Sequence, residues 1–218
     1  MKGTFVVFEG QDRSGKSTAI DNVLEKMPEA VYGKGLNSKT IAGRFAKIFP
    51  STLTYLVEMA YITYTNIVPN LIRGKTVLQD RYEYSVTSFV PSVDKWYNRL
   101  LVKAFKPFFL KPDMILYFTC SPEKRRERLQ AAADEPVHQY LLDHPEILEG
   151  REKKYHELMR NDNYIVIDTT SSTLEHTCNL ALDKIRRIEH DKSTRFLCAQ
   201  TTIKNNTGGG YYETRSTR

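Results

Sequence analysis

One turn near the start of the chain restricts its possible folds more than any other feature. Residues 10–17, with the sequence GQDRSGKS, match the pattern G-x-x-x-x-G-K-[ST]. An apolar run from Thr4 to Phe8 precedes the turn, and an amphipathic stretch from about Lys16 to Met27 follows it. In a strand, turn and helix of this kind, backbone N–H groups converge on phosphate oxygens at the helix N-terminus. The sequence therefore predicts a binding site for a nucleoside triphosphate.

Four side chains of this turn carry chemistry of their own. Lys16 would place a positive charge on the β- and γ-phosphates, and the Ser17 hydroxyl can ligate Mg²⁺. Arg13 is at a variable position, where a guanidinium can stabilise the charge of a transferring phosphoryl group. Asp12 can accept a hydrogen bond from a sugar hydroxyl of a second substrate. A solvated ion pair on the loop explains Asp12 and Arg13 equally well, so the residue types leave both interpretations open.

The rest of the chain alternates short apolar runs with longer amphipathic stretches, a pattern typical of a parallel sheet covered by helices. Strands are predicted at residues 4–8, 30–32, 76–80, 114–119 and 164–168, and helices at 16–27, 52–73, 94–109, 121–133, 146–160 and 173–188. Pro69 is expected to kink or end its helix, and Ser121 is expected to cap the helix that follows it. The polar stretch 134–145, which holds two prolines, is predicted to be a mobile loop.

Composition excludes several classes of protein. A share of 40% hydrophobic residues is too high for a disordered chain. Three cysteines are too few for a disulfide framework or a cysteine-rich zinc site, and they fit a reducing compartment. The first apolar run is too short for a signal peptide, and no window approaches the ~18 apolar residues of a membrane span.

The net charge of +6 is unevenly distributed. Residues 192–218 hold five basic side chains and one acidic side chain, in a segment dominated by Thr, Asn, Gly and Tyr. Three consecutive glycines at 208–210 argue against a packed element, so this segment is predicted to be a flexible basic tail. Residues 1–191 are nearly neutral, and the charge does not predict that they bind nucleic acid.

A second candidate motif, Asp80-Arg81-Tyr82, lies at the end of the predicted strand 76–80. Open parallel sheets bind their ligands at the carboxyl ends of their strands. A carboxylate there can hold Mg²⁺ or its waters, and an arginine can grip a phosphate with two parallel hydrogen bonds. The triplet by itself is weak evidence, because it occurs by chance in many chains.

Four landmarks together resemble one family. Residues 8–18, FEGQDRSGKST, are similar to the F-E-G-x-D-x-x-G-K-S-T opening signature of thymidylate kinases. Asp80-Arg81-Tyr82 resembles the family's D-R-[YH] motif, and residues 111–117 resemble its K-P-D-L motif at the start of a strand. Ser121-Pro122-Glu123 with Arg128 is similar to the helix that leads into the family's lid. In this order, the landmarks cover roughly residues 3–190.

This resemblance implies an α/β fold of the P-loop NTPase type, in three layers with a five-stranded parallel sheet and a helical lid at about residues 130–146. Residues 1–191 would form this domain, and residues 192–218 the tail. The implied activity is ATP- and Mg²⁺-dependent phosphorylation of thymidine monophosphate to the diphosphate, for dTTP synthesis. The enzyme would be a cytoplasmic homodimer that acts on small nucleotides, without a nucleic-acid or membrane partner.

The resemblance also implies roles for individual residues. The residues with implied catalytic roles are Arg13, Lys16, Asp80 and Arg81. Ser17 and Asp80 would bind the metal ion. ATP would contact Gly10, Gln11, Asp12, Arg13, Ser14, Gly15, Lys16, Ser17, Thr18 and Arg128. The acceptor would contact Asp12 through its 3′-hydroxyl and Arg81 through its 5′-phosphate, with Lys39, Tyr61, Ser85 and Phe89 completing its pocket. In the basic run 124–128, one or two side chains are expected to turn inward when the lid closes.

Two departures from the family pattern leave alternatives open. The segment 33–40 lacks the family's F-P-x-R motif, and its Lys34 or Lys39 either replaces that arginine or belongs to a solvated loop. No arginine lies between Arg44 and Arg73, where the family offers one to the thymine ring. In the predicted helix 52–73, tyrosines at helical spacing are more often core residues than residues that stack on a nucleotide base. The alternatives are a broad-specificity deoxynucleoside monophosphate kinase and a nucleotide-binding regulatory protein without productive transfer.

Overall fold

The computed structural model describes residues 2–36, 39–89, 95–133 and 135–207. Five parallel strands form one sheet in the order β2-β3-β1-β4-β5. The strands are β1 (Phe5–Gly10), β2 (Val31–Lys34), β3 (Val77–Asp80), β4 (Met114–Thr119) and β5 (Tyr164–Asp168). The helices are α1 (Lys16–Lys26), α2 (Ile41–Ile48), α3 (Thr52–Ile62), α4 (Val68–Ile72), α5 (Glu83–Phe89), α6 (Trp96–Phe105), α7 (Pro122–Gln130), α8 (Pro136–Asp143), α9 (Pro145–Met159) and α10 (Leu174–Thr207).

The side chains of β1 alternate between two hydrophobic cores. Val6 and Phe8 pack with α1 and α10 on one face of the sheet. Phe5 and Val7 pack with α3, α4 and α5 on the other face. A strand that is buried on both faces favours a continuous apolar run, as residues 5–8 of β1 provide. The predicted α/β fold with three layers and a five-stranded parallel sheet is confirmed.

The register of the sheet positions the two sequence motifs side by side. Phe8 of β1 pairs with Asp80 of β3 and with Leu116 of β4. The chain crosses to opposite sides of β1, so the strand order reverses there and leaves a crevice at the carboxyl ends. The GQDRSGKS turn after β1 therefore begins beside the residues that follow β3.

The predicted long helix over residues 52–73 contains a π-helical turn. α3 passes directly into this turn at Thr63–Ile67, and α4 then holds Pro69 in its first turn. A proline lacks the N–H that an α-helix needs, and its ring crowds the carbonyl of the preceding turn. The wider π turn before Pro69 lets the helical path continue to Ile72.

The prediction of a mobile loop at residues 134–145 is wrong. Most of this stretch forms α8, which begins at Pro136, and α9 begins at Pro145. Both prolines stand in the first turn of a helix, where the missing N–H would have no partner and the fixed φ suits the helix. The two prolines therefore start helices here, although prolines in a polar stretch also indicate a loop. The predicted helical lid thus has α8 as its helix.

The segment predicted to be a flexible basic tail, residues 192–218, is helical as far as Thr207. The backbone of α10 continues without a break to Thr207, because extending a helix costs much less than starting one. Lys192 donates hydrogen bonds to the Gly3 carbonyl and to Asp113 Oδ2, both at 2.6 Å. Residues 208–218, including the three glycines, lie outside the described residues. None of the described helices has the length and apolar content needed to cross a membrane.

Glu83, in the first turn of α5, is a partly buried carboxyl group. Burial raises the pKa of Glu83 to about 7, while Lys106 partly offsets this effect and Asp162 adds to it. The folded protein therefore binds this proton more tightly than the unfolded chain does. As a result, the contribution of Glu83 to stability falls as the pH rises from about 4.5 to about 7.

We expect Glu83→Gln to raise the free energy of unfolding by about 1–2 kcal/mol at pH 8, because it removes the buried charge. The gain should shrink as the pH falls through 7 and become small near pH 5. Urea unfolding at three pH values measures this trend, with Glu149→Gln on the exposed part of α9 as the control. An equal increase in the free energy of unfolding at every pH would contradict the explanation that the buried charge of Glu83 lowers stability.

Candidate active site

The turn after β1 adopts a backbone that two glycines make possible. Gly10 has φ 147°, and a Cβ at this position would lie 2.4 Å from the Phe118 carbonyl oxygen. Gly15, with φ 85°, begins α1 in the left-handed region. Arg13 and Arg81 also have positive φ, 60° and 64°, which is rare for residues with a Cβ and concentrates at functional sites.

A cleft of about 1070 Å³ lies at the carboxyl edge of the sheet, around this turn. It brings together most of the residues predicted from sequence: Gln11, Asp12, Arg13, Ser14, Gly15, Lys16, Ser17, Thr18, Asp80, Arg81, Phe89 and Arg128. Lys34 also lines the cleft, whereas Lys39 is exposed and is absent from its wall. Tyr61 is 39% exposed on α3 and is likewise absent from this wall.

Lys16 and Asp80 form a buried ion pair at the base of the cleft. The Lys16 ammonium donates to Asp80 Oδ1, and both side chains are at most 6% exposed. Burial, followed by the nearby charge of Arg81, lowers the pKa of Lys16, and Asp80 acts in the opposite direction. The ion pair with Asp80 fixes the position of the Lys16 ammonium beside the phosphate-binding turn.

Arg81 connects the end of β3 to this turn. Its Nη2 donates to Asp12 Oδ1 at 2.7 Å, and its Nη1 donates to the Gly10 carbonyl at 3.2 Å. The guanidinium carbon lies 4.3 Å from the centroid of the Phe89 ring. An arginine held on one side by a carboxylate and on its face by a ring presents a fixed, planar set of donors.

Ser85 does not line the cleft, so the prediction that it contacts the nucleoside is not supported by its position. It is fully buried, and its hydroxyl donates to Glu9 Oε2 at 2.5 Å. Glu9 also accepts from the Tyr82 N–H at 2.8 Å and the Tyr155 hydroxyl at 3.0 Å. Burial raises the pKa of Glu9, and these hydrogen bonds partly oppose that effect. The network fixes the start of α5 beneath Arg81.

The lid contributes side chains that the sequence analysis did not assign. Arg13 Nη2 lies 3.3 Å from both Glu135 Oε1 and His138 Nδ1, at the start of α8. Both lid residues line the cleft. Sequence spacing does not predict them, because both residues reach the cleft through the docking of α8, in a stretch that the sequence predicts to be a loop.

The basic run on α7 includes two inward-facing arginines, as expected. Arg128 donates to the Arg13 carbonyl at 3.2 Å and to Thr169 Oγ1 at 2.9 Å. Arg125 is buried and donates to Glu152 Oε2 at 3.2 Å. Arg128 therefore ties the phosphate-binding turn to the loop after β5, whereas Arg125 ties α7 to α9.

The oxygen ligands available in the cleft suit a magnesium ion that phosphate groups would hold for the most part. The described residues contain no group of three or more His, Cys, Asp or Glu side chains that could hold a metal by themselves. Mg²⁺ in phosphoryl-transfer sites takes one or two protein oxygens and completes its shell with phosphate and water. The exposed Ser17 hydroxyl and the Asp80 carboxylate, both on the cleft wall, provide such oxygens.

Comparisons with known proteins find similarity to one family. The sequence profile of the family described as Thymidylate kinase matches residues 8–179. A probable thymidylate kinase from Methanocaldococcus jannaschii is 26% identical over 196 residues, which cover 85% of this chain and 97% of the relative. The thymidylate kinase of Leptospira borgpetersenii is 32% identical over 143 residues, 59% of this chain and 69% of that protein. The solved structure of thymidylate kinase from Candida albicans shares the fold, with a TM-score of 0.65, 16% identity and coverage of 86% of this chain and 94% of that chain.

Proposed function

The chain belongs to the thymidylate kinase family, and from that premise we propose that it transfers the γ-phosphoryl group of ATP to thymidine monophosphate with the help of Mg²⁺. The observation that carries this proposal is the contact between Arg81 and Asp12, at 2.7 Å across the cleft. The contact holds Arg81 beside the triphosphate turn, where its guanidinium would grip the phosphate of the acceptor. A protein that only binds ATP has no use for such an arginine, whereas a kinase needs it for the acceptor.

The donor nucleotide is proposed to lie along the GQDRSGKS turn. Backbone N–H groups at the start of α1 would donate hydrogen bonds to the triphosphate, and the Lys16 ammonium would neutralise part of its charge. The adenine would extend toward Arg128, Thr169 and Thr177, which line the same cleft. Ser17 and Asp80 would hold the Mg²⁺ ion, which would neutralise charge on the phosphate oxygens as transfer proceeds.

The chain's own side chains position two phosphates and neutralise their charge. Lys16 would exchange its contact with Asp80 for the donor phosphates, and Arg81 would hold the acceptor phosphate in line. Arg13 would stabilise the charge that develops on the transferring group. No strong base is needed, because the acceptor phosphate is already an anion at neutral pH.

The lid is proposed to keep water out of the cleft. Glu135 and His138 of α8 contact Arg13, so the lid helix and the phosphate-binding turn meet above the donor site. Exclusion of water at this point would favour transfer to the nucleotide over hydrolysis of ATP.

A second candidate function is a kinase with a broader range of acceptor bases. The observation in its favour is the absence of an arginine from α3 and from the π turn that follows it. A site that lacks a hydrogen-bonding group for one base discriminates less steeply against other bases.

The test offers the purified chain ATP, Mg²⁺ and each deoxy- and ribonucleoside monophosphate in turn, with the diphosphate product measured by chromatography. We expect product from thymidine monophosphate. Comparable turnover of dUMP or dGMP would favour the broader kinase. ATP binding without product from any acceptor would contradict the kinase proposal and favour the regulatory alternative.

A homodimer is proposed from the exposed apolar face of α2 and α3. This face carries Ile41, Phe45, Ile48, Phe49, Leu53 and Val57, all between 45% and 74% exposed. Contiguous apolar patches of this kind mark interaction surfaces, and the family resemblance implies a second copy as the occupant.

Light scattering is expected to give twice the chain mass of 25.2 kDa, and Phe45→Glu is expected to shift the protein to monomer. An exposed substitution away from this face, Lys153→Glu on α9, is the control. A monomer at all concentrations would contradict the proposal.

The cytoplasm is proposed as the place of action. The implied role in dTTP synthesis and the thiols of Cys120 and Cys178, which are both free, fit a reducing compartment.

A further inference from the structure

We propose that Arg151 of α9 supplies a second guanidinium for the 5′-phosphate of the acceptor nucleotide. The inference rests on the proposed function, because it assigns a further residue to the acceptor side of the same cleft. Arg151 belongs to none of the sequence motifs, and it follows Gly150 in the middle of α9, far along the chain from the phosphate-binding turn.

Two arginines converge on one ring and one carboxylate. The guanidinium carbon of Arg151 lies 4.2 Å from the centroid of Phe89, and that of Arg81 lies 4.3 Å from the same centroid. Arg151 Nη1 lies 3.8 Å from Asp12 Oδ2, while Arg81 Nη2 lies 2.7 Å from Asp12 Oδ1. Phe89 and Asp12, which both line the cleft, therefore hold the two guanidinium groups close to each other beside this part of its wall.

Within the described residues, both arginines of this cluster depend on one carboxylate for their ion pairs. Arg151 and Arg81 are only 17% and 14% exposed, and they share the single carboxylate of Asp12. Burial lowers the pKa of Arg151, Asp12 opposes that effect, and Arg81 adds to it. The charges of Glu9 and Asp80 also act on Arg81, but among the described residues neither forms an ion pair with Arg151. An incoming dianionic phosphate would give Arg151 a direct anionic partner.

Arg125, in the same part of the molecule, is an arginine whose hydrogen-bond donors are engaged by the protein itself, and it can be compared with Arg151. Its guanidinium donates to Glu152 at 3.2 Å and 3.3 Å and to the Cys120 carbonyl at 3.2 Å. The nearest described carboxylate oxygen to Arg151, by contrast, lies at 3.8 Å, beyond the range of a direct hydrogen bond. The donors of Arg151 are thus held near the acceptor side without being used up by the described part of the protein.

The first test measures steady-state kinetics of Arg151→Ala. We expect the KM for thymidine monophosphate to rise about tenfold to a hundredfold, as for loss of a hydrogen bond to a charged group, with the KM for ATP unchanged. Arg151→Lys, which keeps the charge without the fork, should recover part of the loss. Lys153→Ala, an exposed change two residues along α9, is the matched control. An unchanged KM for the acceptor in Arg151→Ala would overturn the inference.

The second test compares direct binding of thymidine and of thymidine monophosphate by calorimetry, which requires no turnover. If Arg151 contacts the phosphate, Arg151→Ala weakens binding of the monophosphate and leaves binding of thymidine unchanged. Equal losses for both ligands would overturn the inference and leave Arg151 as a support for Phe89. Should the alanine variant fail to fold, Arg151→Gln with a melting temperature near that of the wild type replaces it. A wild-type protein that binds thymidine monophosphate but phosphorylates no acceptor would contradict the proposed function alone.

Discussion

Arg81→Ala is expected to lower kcat/KM for thymidine monophosphate by about a thousandfold or more, while the Kd for ATP stays within about twofold. Arg81 is 14% exposed, and its donors are aimed into the cleft by Asp12 and Phe89. Its removal would leave the acceptor phosphate without its main guanidinium and leave the partly buried Asp12 without its closest partner. Lys16 and the backbone of the phosphate-binding turn, which hold the donor, would remain.

Isothermal calorimetry with a non-hydrolysable ATP analogue and kinetics at saturating ATP measure the two effects separately. Arg81→Lys is the informative companion, because it keeps a charge but lacks the bidentate fork, and it should recover only a small part of the activity. Thermal unfolding of both variants shows whether the fold is kept. If affinity for ATP fell as much as affinity for the acceptor, the assignment of Arg81 to the acceptor would be wrong.

The parts of the site that the sequence predicts are those whose chemistry is local. The GQDRSGKS turn needs glycines at 10 and 15, a lysine and a hydroxyl at fixed spacing, so the pattern itself describes the geometry. Asp80 and Arg81 could be placed beside the turn because parallel strands end at one edge of the sheet. In the structure, Phe8 of β1 pairs with Asp80 of β3, so the two strands end side by side next to the turn.

The parts that the sequence does not predict depend on how distant elements dock. Glu135 reaches the cleft, and Arg151 reaches Asp12 at its wall, only because α8 and α9 pack against the turn, more than 120 residues along the chain from Arg13 and Asp12. Ser85 is the reverse case, because the family resemblance implies a contact with the nucleoside, whereas its side chain is buried against Glu9 and does not line the cleft. Sequence spacing fixes neither the depth of a side chain nor its partner.

The proline-flanked lid shows a further limit. Pro136 and Pro145 occur in a polar stretch, where prolines suggest a loop as readily as a helix start. Only a neighbouring surface decides between the two, and here it is supplied by buried Leu141 and Leu148 packing against Leu129 of α7. The contact between the lid and Arg13 follows from this packing.

Arg13 is proposed to be the residue through which lid position affects chemistry. Its guanidinium is 35% exposed and lies between the start of α8 and the phosphate-binding turn. Its carbonyl accepts a hydrogen bond from Arg128, so the backbone at φ 60° is held from a second side. A guanidinium anchored in this way needs little reorganisation when a phosphoryl group is transferred beside it, which is the condition for strong electrostatic catalysis.

Arg13→Ala is therefore expected to lower kcat by about a thousandfold, the lower end of the range for an arginine that stabilises a transferring phosphoryl group, with both KM values changed by less than about threefold. Single-turnover kinetics with preformed complexes measure the chemical step directly. Arg126→Ala, an exposed substitution in the neighbouring basic run, is the control and should leave kcat unchanged. A raised KM for ATP with an unchanged kcat would mean that Arg13 binds the ground state of the donor, because only an interaction that strengthens in the transition state lowers the barrier.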